Sequence, residues 1–447
     1  GGTALSRCHC CGNPGTGSHD GWFVECYFGG LNMKRYSEYK DSGVKWIGEI
    51  PGHWKCAQIG RLFSIKAGGD VKPDLFSDKQ DHKHPYPVYT NTKSATDVYA
   101  YTSNPTCKAN TITVTGRGEV GHAIFRETPY DAIIRLLSLE SKSELANPKF
   151  HTYVIDTIIP FTSDSAAIGQ LSAIQIKPKY IPVPTIKEQQ AIVTYLDTKV
   201  AKIDEYISIA EKKISALEEL KQTIIAEAVT RGIHKEVPMK DSGVKWIGMI
   251  PEHWKVMRLS QIAYEHFISN KKIHHQNLLS LSYGQIIRKD INGTNGLLPA
   301  SFDTYQVVEE GNIILRLTDL QNDHKSLRVG LVKETGIITS AYLCLAPKNM
   351  VYSKFLYFQL HACDIKKVFY SMGDGLRQSL NYDGMRKLAS VIPPLLEQQE
   401  IVNYIEAKVA NINQLCQAER SQIEKLKEYK QRLISDVVTG KVKVTND

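Results

Sequence analysis

The sequence predicts an α+β protein in which two mixed α/β domains are separated by two long antiparallel coiled-coil helices, in a pseudo-twofold arrangement. Three observations lead to this fold class. The chain contains a tryptophan-rich repeat, a second repeat at a different spacing, and an apolar stripe of helical period inside the second repeat. Its 447 residues, 42% hydrophobic and 23% charged, have a globular composition and suffice for several domains.

The first repeat is a fifteen-residue segment that we call the tryptophan motif. It reads Asp-Ser-Gly-Val-Lys-Trp-Ile-Gly-Glu-Ile-Pro-Gly-His-Trp-Lys at 41–55, and its copy at 241–255 differs only at Met249 and Glu252. The two tryptophans of each copy predict a packing element that holds the neighbouring domain on the helices, because a large ring buries much apolar area. We do not expect His53 and His253 to be general bases, since neither has a paired carboxylate at a convincing spacing.

The second repeat lies at a different offset from the first. Residues 183–193 match 392–402, and the match continues without a gap to 230 and 439. The offset has therefore grown from 200 residues at the tryptophan motifs to 209 here, so the intervening segments, roughly 56–182 and 256–391, differ in length. The chain therefore alternates between constant segments, which are repeated, and variable segments, in the order constant, variable, constant, variable, constant.

The second repeat predicts two long helices. Prolines precede each segment, and Glu188 and Glu397 suit the positive end of a helix dipole. Apolar residues follow at steps of three and four, or sums of these, which indicates a coiled coil of about 40 residues whose apolar face packs against the other copy. The stripe consists of Ile192, Leu196, Ile203, Ile207, Ala210, Ile214, Leu217, Ile224 and Ala228, and of Ile401, Ile405, Ile412, Cys416, Ile423, Leu426, Leu433 and Val437.

The two variable segments are predicted to be mixed α/β. Strand-like, β-branched stretches occupy Thr111–Val114, Ile133–Leu139, Asn312–Leu317 and Thr339–Leu345. Glycine-containing turns are expected between strands, at 115–121 and at 310–312.

The charge distribution favours a polyanionic partner for the variable segments. The net charge is +8, and the helical segments do not supply it, because 187–231 has seven basic and eight acidic residues and 397–441 has seven of each. Arginine, lysine, asparagine and glutamine are the side chains that contact phosphates and base edges. The expected DNA contacts are Lys72, Lys93, Arg117, Arg126, Lys271, Lys272, Arg288, Arg316, Arg377, Gln378 and Asn381, with Arg117 and Arg377 foremost.

The sequence offers little for catalysis or cofactor binding. It has no Gly-x-x-x-x-Gly-Lys-Ser/Thr phosphate loop, and the Gly-x-Gly-x-x-Gly match at 116–121 does not open a helical pattern. Asp131 followed by Glu140 and Lys142 imitates the acidic cluster of metal-dependent nucleases, which leaves a nuclease as a third hypothesis. The cysteine cluster at 8–11 lacks the paired spacing of zinc sites, so no metal is expected.

The domain boundaries follow from the repeats. We expect a non-native or disordered extension at 1–32, a first domain at 33–182, a first long helix at 183–235, a second domain at 236–391, a second helix at 392–441 and a tail at 442–447. No apolar run approaches the roughly 20 residues of a membrane span, and no secretory signal is recognisable. A cytoplasmic protein without membrane contact is expected.

The interleaved repeats resemble the specificity subunits of type I restriction-modification systems. The resemblance rests on Lys-Asp-Ser-Gly-Val-Lys-Trp-Ile-Gly-x-Ile-Pro-x-His-Trp at the start of each half and Pro-x-x-x-x-Glu-Gln-x-x-Ile-Val at the end of each variable segment, and it covers 33 to about 444. It implies two target recognition domains, each reading one half of a split, asymmetric site in double-stranded DNA. It also implies that the helices set the gap between the halves and dock the methyltransferase partner.

The resemblance implies a subunit without catalysis or cofactors of its own. Modification (methyltransferase) subunits would bring S-adenosylmethionine, and restriction (translocase and nuclease) subunits would bring ATP hydrolysis, Mg and cleavage. The alternative is a coiled-coil scaffold that presents two protein-binding domains and does not touch DNA. The basic excess outside the helices argues against that alternative.

Overall fold

The computed structural model describes residues 34–161, 170–234, 236–291, 301–320, 327–372 and 380–444, without the side chains of Lys272 and Ser371. The chain forms two compact units. Unit 1 comprises Gly1–Ile209 with Ser421–Asp447, and unit 2 comprises Ala210–Arg420. Each unit therefore combines one tryptophan motif and one variable segment with part of both long helices, and each is described by itself.

Unit 1 contains four helices, the last of which continues into unit 2, and twelve strands among its described residues. The helices are α1 (Ile59–Leu62), α2 (Pro148–Ile158), α3 (Ala173–Ile176) and the 46-residue α4 (Ile186–Arg231). The strands are β1 (Tyr39–Asp41), β2 (Glu49–Pro51), β3 (Lys55–Gln58), β4 (Phe63–Ala67), β5 (Phe76–Ser77), β6 (Tyr86–Tyr89), β7 (Ala100–Thr102), β8 (Thr111–Val114), β9 (Ala123–Arg126), β10 (Asp131–Ala132), β11 (Leu137–Ser141) and β12 (Tyr180–Val183).

Unit 2 repeats this plan. Its helices are α5 (Leu259–Ile262), α6 (Ser353–Ile365), α7 (Tyr382–Met385) and the 44-residue α8 (Leu395–Val438), which ends in unit 1. Its strands are β13 (Met239–Asp241), β14 (Met249–Pro251), β15 (Lys255–Arg258), β16 (Ala263–Glu265), β17 (Ile268–Ser269), β18 (Leu279–Ser282), β19 (Gln285–Arg288), β20 (Gln306–Val308), β21 (Ile313–Leu315), β22 (Val329–Leu331), β23 (Gly336–Ile338), β24 (Leu343–Pro347) and β25 (Ala389–Ile392).

Each variable domain contains a four-stranded sheet of the same topology, although the two sequences differ. Its strand order is β4-β11-β8-β9 in unit 1 and β16-β24-β21-β22 in unit 2, antiparallel throughout. The domain helix packs on the last strand of this sheet in both cases, α2 on β9 and α6 on β22. A second sheet differs, being β10-β6-β7-β5 in unit 1 and β17-β20-β23 in unit 2. The mixed α/β prediction for both variable segments is confirmed.

The long helices run antiparallel in each unit. Lys430 Nζ lies 2.7 Å from an Asp204 carboxylate oxygen in unit 1, and Lys221 Nζ donates to Asn413 Oδ1 at 3.3 Å in unit 2, so residue numbers rise on one helix as they fall on the other. All eight predicted stripe residues of α8 are buried. On α4 the ends of the stripe are buried, whereas Ile207, Ile214, Leu217 and Ile224 are half-buried. The coiled-coil prediction is confirmed.

Each tryptophan motif packs its second tryptophan between the two long helices. Trp54 is fully buried in unit 1, in one core with Leu196 near the start of α4 and Val437 at the end of α8. Trp254 is equally buried in unit 2, in one core with Val229 near the end of α4 and Ile405 near the start of α8. The packing role predicted for the tryptophan motifs is confirmed.

The histidine of each tryptophan motif pairs with a carboxylate that is distant in the sequence. His53 Nε2 lies 2.9 Å from Glu188 Oε1, and the Trp54 indole donates to the same oxygen at 3.1 Å. Burial opposes ionisation of Glu188, but hydrogen bonds from His53, Trp54 and Thr185 outweigh it and hold the pKa of that carboxyl below its usual value. His253 and Trp254 bind the two carboxylate oxygens of Glu397, His253 at Oε2 (2.8 Å) and Trp254 at Oε1 (3.0 Å). The glutamate of each Glu-Gln-Gln segment therefore binds the tryptophan motif.

The glutamine after this glutamate holds the variable domain. Gln189 is fully buried; its Oε1 accepts from the Asn147 amide at 2.8 Å, and its Nε2 donates to the carbonyls of Leu145 and Pro184 at 2.9 Å. Asn147 is the N-cap of α2. Gln398 makes the corresponding bonds at the start of α6. One side chain in each unit therefore joins the domain helix to the long helix.

Candidate nucleic-acid interface

Three segments of unit 1 meet at one end of its β4-β11-β8-β9 sheet, and we call them the loop edge. They are the β8–β9 loop at 115–122, the turn before β11 at 133–136 and the segment before α3 at 170–172. The Leu171 amide donates to the Gly116 carbonyl at 2.8 Å, which joins the first and third segments.

Asn91 joins the first two segments of the loop edge. Its Oδ1 accepts from the amides of Gly116 and Arg117 at 2.7 and 3.2 Å, and its Nδ2 donates to the Ile134 carbonyl at 2.6 Å. The segments surround a cleft of about 330 Å³ whose polar lining residues are Arg117, Arg135, Gln170 and Ser172. Arginine, glutamine and serine donors around an open cleft are suited to phosphates and base edges.

Unit 2 builds its loop edge from the same backbone contact. The Leu380 amide donates to the Leu317 carbonyl at 3.0 Å, as Leu171 does to Gly116. Leu317 is the second residue after β21, as Gly116 is the second after β8, and Leu380 lies two residues before α7, as Leu171 lies two residues before α3. Thr318 therefore occupies the place of Arg117. The two variable domains carry different side chains on one backbone arrangement.

The comparisons with known proteins agree with this architecture. Residues 51–219 match the sequence profile of a family described as Type I restriction modification DNA specificity domain. Two putative type I specificity subunits of Mycoplasma pneumoniae are 28% and 29% identical over 166 and 163 residues, 37% and 36% of this chain. Those stretches span only 48% and 43% of the two relatives.

A longer match covers both units. The type I restriction enzyme MjaVIII specificity subunit of Methanocaldococcus jannaschii is 21% identical over 433 residues, which are 91% of this chain and 98% of that protein. The chain is similar to the specificity subunits of type I restriction-modification systems over most of its length. A solved chain described under "Structural basis underlying complex assembly and conformational transition of the type I R-M system" shows the same fold, with a TM-score of 0.62 at 14% identity over 87% of this chain and 98% of that chain.

The predicted DNA contacts fall on different parts of the first variable domain. Arg117 is exposed on the loop edge, and Lys93 is ion-paired with Glu119 of the β8–β9 loop. Lys72 is exposed before the 3-10 turn Pro73–Leu75 and does not line the cleft. Arg117 and Lys93 are thus the two predicted residues that the structure brings to one edge.

Arg126 does not fit the predicted role, because it is only 4% exposed. Its guanidinium lies 3.5 Å from the centre of the Tyr89 ring, and it donates to Thr113 Oγ1 at 3.1 Å and to the Ala95 carbonyl at 2.9 Å. Burial lowers the pKa of Arg126. The side chain ties β9 to β8 and to the loop before β7, which leaves it no route to DNA.

The predicted DNA contacts of the second variable domain also lie in different parts of that domain. Arg377 and Gln378 lie outside the described residues, as does the side chain of Lys272. Asn381 is the N-cap of α7, where its Oδ1 accepts from the Gly384 amide at 3.1 Å. Arg316 is half-buried at the start of the β21–β22 connection, whereas Lys271 is exposed. Arg288 is exposed and ion-paired with Glu334.

The nuclease-like residues are not assembled into one site. Asp131 is 4% exposed on β10, where it accepts from Thr106 Oγ1, whereas Glu140 lies on β11 of the other sheet and pairs with Lys108 at 2.5 Å. The described part of the chain contains no cluster of three or more metal-ligating side chains, and the cysteines at 8–11 lie outside it. Likewise, none of its helices has the length and apolarity to cross a membrane.

Arg135 and Gln170 are cleft residues that the sequence pattern did not predict. The β-branched run at 133–139 predicts a strand that includes Arg135, but the strand begins only at Leu137. The positive φ angles of Ile134 and Arg135, 54° and 62°, turn the chain there. The one sequence feature that could have identified Arg135 is its position as a lone arginine inside an apolar run.

Proposed function

We propose that this chain is the DNA-reading specificity subunit of a type I restriction-modification complex, each recognition domain reading one half of a bipartite, asymmetric site. The observation that carries the proposal is the pair of loop edges. Each is built by the same backbone bond, Leu171 to Gly116 and Leu380 to Leu317, yet the side chains differ. Different side chains on one scaffold are what two unlike half-sites require. Because its target is DNA, we expect the subunit in the cytoplasm.

The chain acts without catalysis of its own in this proposal. Methyltransferase subunits supply S-adenosylmethionine, and restriction subunits supply ATP hydrolysis, magnesium and DNA cleavage. The long helices are the proposed docking surface for the methyltransferase. Tyr206 of α4 and Leu415 of α8 hold the same place in the repeat and are 41% and 49% exposed. Large apolar side chains left exposed at repeated positions are typical of a surface that a partner covers.

The helices also fix the length of the non-specific spacer between the half-sites. Deleting one heptad from each, 207–213 from α4 and 416–422 from α8, removes matched segments, since Ile207 and Cys416 hold the same stripe position. Seven helical residues span about 10 Å, or roughly three base pairs of B-DNA. We expect the spacer of the methylated motif to change by that amount.

The test is to profile methylated adenines in cells that carry the complex with the wild-type or the deleted subunit. The expected wild-type result is one bipartite motif. An unchanged spacer in the double deletion would contradict the spacer role, and a single continuous motif would contradict the two-reader proposal. Replacing the exposed Lys212 by alanine is the control, because it alters the same heptad without shortening it. A scaffold that does not bind DNA predicts no salt-sensitive DNA affinity for the complex.

A further inference from the structure

The turn before β11 displays one arginine on a strained backbone. Ile134 and Arg135 both adopt left-handed φ angles, 54° and 62°, although neither is glycine. Side chains with a Cβ avoid this region, and a β-branched residue such as isoleucine avoids it most. Consecutive residues of this kind persist only where the surroundings enforce them, and such strain concentrates at functional sites.

The surroundings enforce this turn from two sides. The Ile134 amide donates to the Gly69 carbonyl at 2.8 Å, and the Ile134 carbonyl accepts from Asn91 Nδ2 at 2.6 Å. The carbonyl of Arg135 lies so close to Gly116 that a Cβ there would approach it to 2.5 Å. The Arg135 backbone is thus fixed against the loop that carries Arg117, which is the pre-organisation that a specific contact needs.

The side chains around the cleft carry positive charges that no acidic residue among the described lining residues neutralises. Arg117 and Arg135 are exposed, and neither forms an ion pair with any residue that the structure describes. Of the described residues that line the cleft, none is acidic, and Gln170 adds an amide group that both donates and accepts. By contrast Arg288 of the second domain is paired with Glu334. The two cleft arginines keep their donors available for a ligand.

We propose that Arg135 reads a guanine in the half-site bound by unit 1, with Arg117 beside it. The guanidinium fork matches the O6 and N7 acceptors that guanine presents in the major groove, and this is the commonest specific contact between protein and DNA. A phosphate contact carries no sequence information and does not require a strained, fixed backbone. The inference rests on the proposed function, since it assigns a base to a residue of that reading domain.

The test measures how Arg135 and individual guanines depend on each other. The complex, reconstituted with its methyltransferase subunits, binds duplexes of its own methylated motif in which each guanine is replaced in turn by 7-deazaguanine, which lacks N7. We expect one position where this replacement weakens binding by the wild type but not by Arg135→Gly or Arg135→Lys. Arg135→Gly accommodates φ of 62° without strain, and Arg135→Lys keeps the charge without the fork.

Discrimination against an A·T pair at that position should fall roughly 5- to 150-fold in both variants, the equivalent of about 1–3 kcal/mol. Arg61→Ala is the matched control, because Arg61 is an exposed arginine of the same domain that does not line the cleft, and its motif should be unchanged.

Three results would overturn the inference. The variants could recognise an unchanged motif, the half-site could contain no guanine whose N7 matters, or Arg135→Gly could weaken binding equally on all sequences while Arg135→Lys restores it. The last pattern identifies a phosphate contact. A wild-type complex without any sequence preference would instead refute the proposed function itself, so the two failures are distinguishable.

Discussion

Replacing Gln398 by alanine removes a side chain that ties three backbone groups of unit 2 together. Its Oε1 accepts from the Tyr352 amide at 2.8 Å, and its Nε2 donates to the carbonyls of Met350 and Pro393 at 3.2 and 2.9 Å. Gln398 is 0% exposed, so water does not readily take over these bonds. Tyr352 is the N-cap of α6, and its amide would lose its acceptor.

The expected loss of stability follows from those bonds. Together the three bonds contribute a net of about 1.5–4.5 kcal/mol, and an unpaired buried donor costs about 1–3 kcal/mol more, so Gln398→Ala should cost about 2.5–7.5 kcal/mol. That is a large fraction of the about 5–15 kcal/mol by which domains are stable. Hydrogen exchange with mass spectrometry measures the effect locally. Peptides covering 350–356 should exchange faster, whereas peptides from the tryptophan motifs should change little.

The neighbouring glutamine provides a matched control. Gln399 is exposed, so Gln399→Ala changes the same helix by the same side chain without touching α6. Gln189→Ala should reproduce the effect in unit 1, at peptides covering Asn147, because it makes the corresponding bonds. Equal protection of 350–356 in the Gln398→Ala and Gln399→Ala proteins would refute the joining role of the buried glutamine.

Two further predictions follow from buried and crowded positions. Burial lowers the pKa of His151 from 6.5 to about 4. Between pH 6.5 and pH 4 the unfolded chain therefore binds a proton at His151 that the folded chain does not. The free energy of unfolding should fall by up to about 3 kcal/mol as the pH drops over this range. His151→Leu, which copies Leu356 of α6, should reduce this pH dependence in urea unfolding; an unaltered profile would contradict the assignment. Gly440 and Gly232 both have φ of 75°, but a Cβ at Gly440 would overlap the Pro51 ring, whereas at Gly232 the nearest atom would be 3.3 Å away. Gly440→Ala should therefore destabilise by about 1–3 kcal/mol more than Gly232→Ala in the same assay, and equal losses would contradict the overlap.

The repeated parts of the fold could be predicted from the sequence, because their signals are local or periodic. The stripe from Ile401 to Val437 shows a helix with one buried face, and all its predicted members are buried. The partner of His53 could not be predicted, since Glu188 is 135 residues away and only the fold brings them together. The sequence identifies Glu188 as an acidic residue at a helix start, which describes its position but not its bond to the tryptophan motif.

The candidate site was predictable only where a residue type coincided with a turn signal. Arg117 lies in a glycine-rich loop, which the sequence identifies as a turn between strands. Arg126 has the same chemistry, but its position on β9 faces the interior, where it lies over the Tyr89 ring and donates to Thr113. Arg135 was hidden because two left-handed residues interrupt an apolar run without a glycine or proline to reveal the break.

The way the loop edges are held explains how two unlike recognition domains can share one scaffold. The bonds between Leu171 and Gly116, and between Leu380 and Leu317, join backbone groups, so they do not depend on the side chain at the next position, Arg117 or Thr318. Thr318 can stand where Arg117 stands without loss of that bond. The residues that must stay constant, such as the buried glutamines, lie instead at the junction of domain and long helix. Under the proposed function, stability and base recognition therefore depend on different residues, so the edge side chains can change the DNA sequence that is read while the fold is retained.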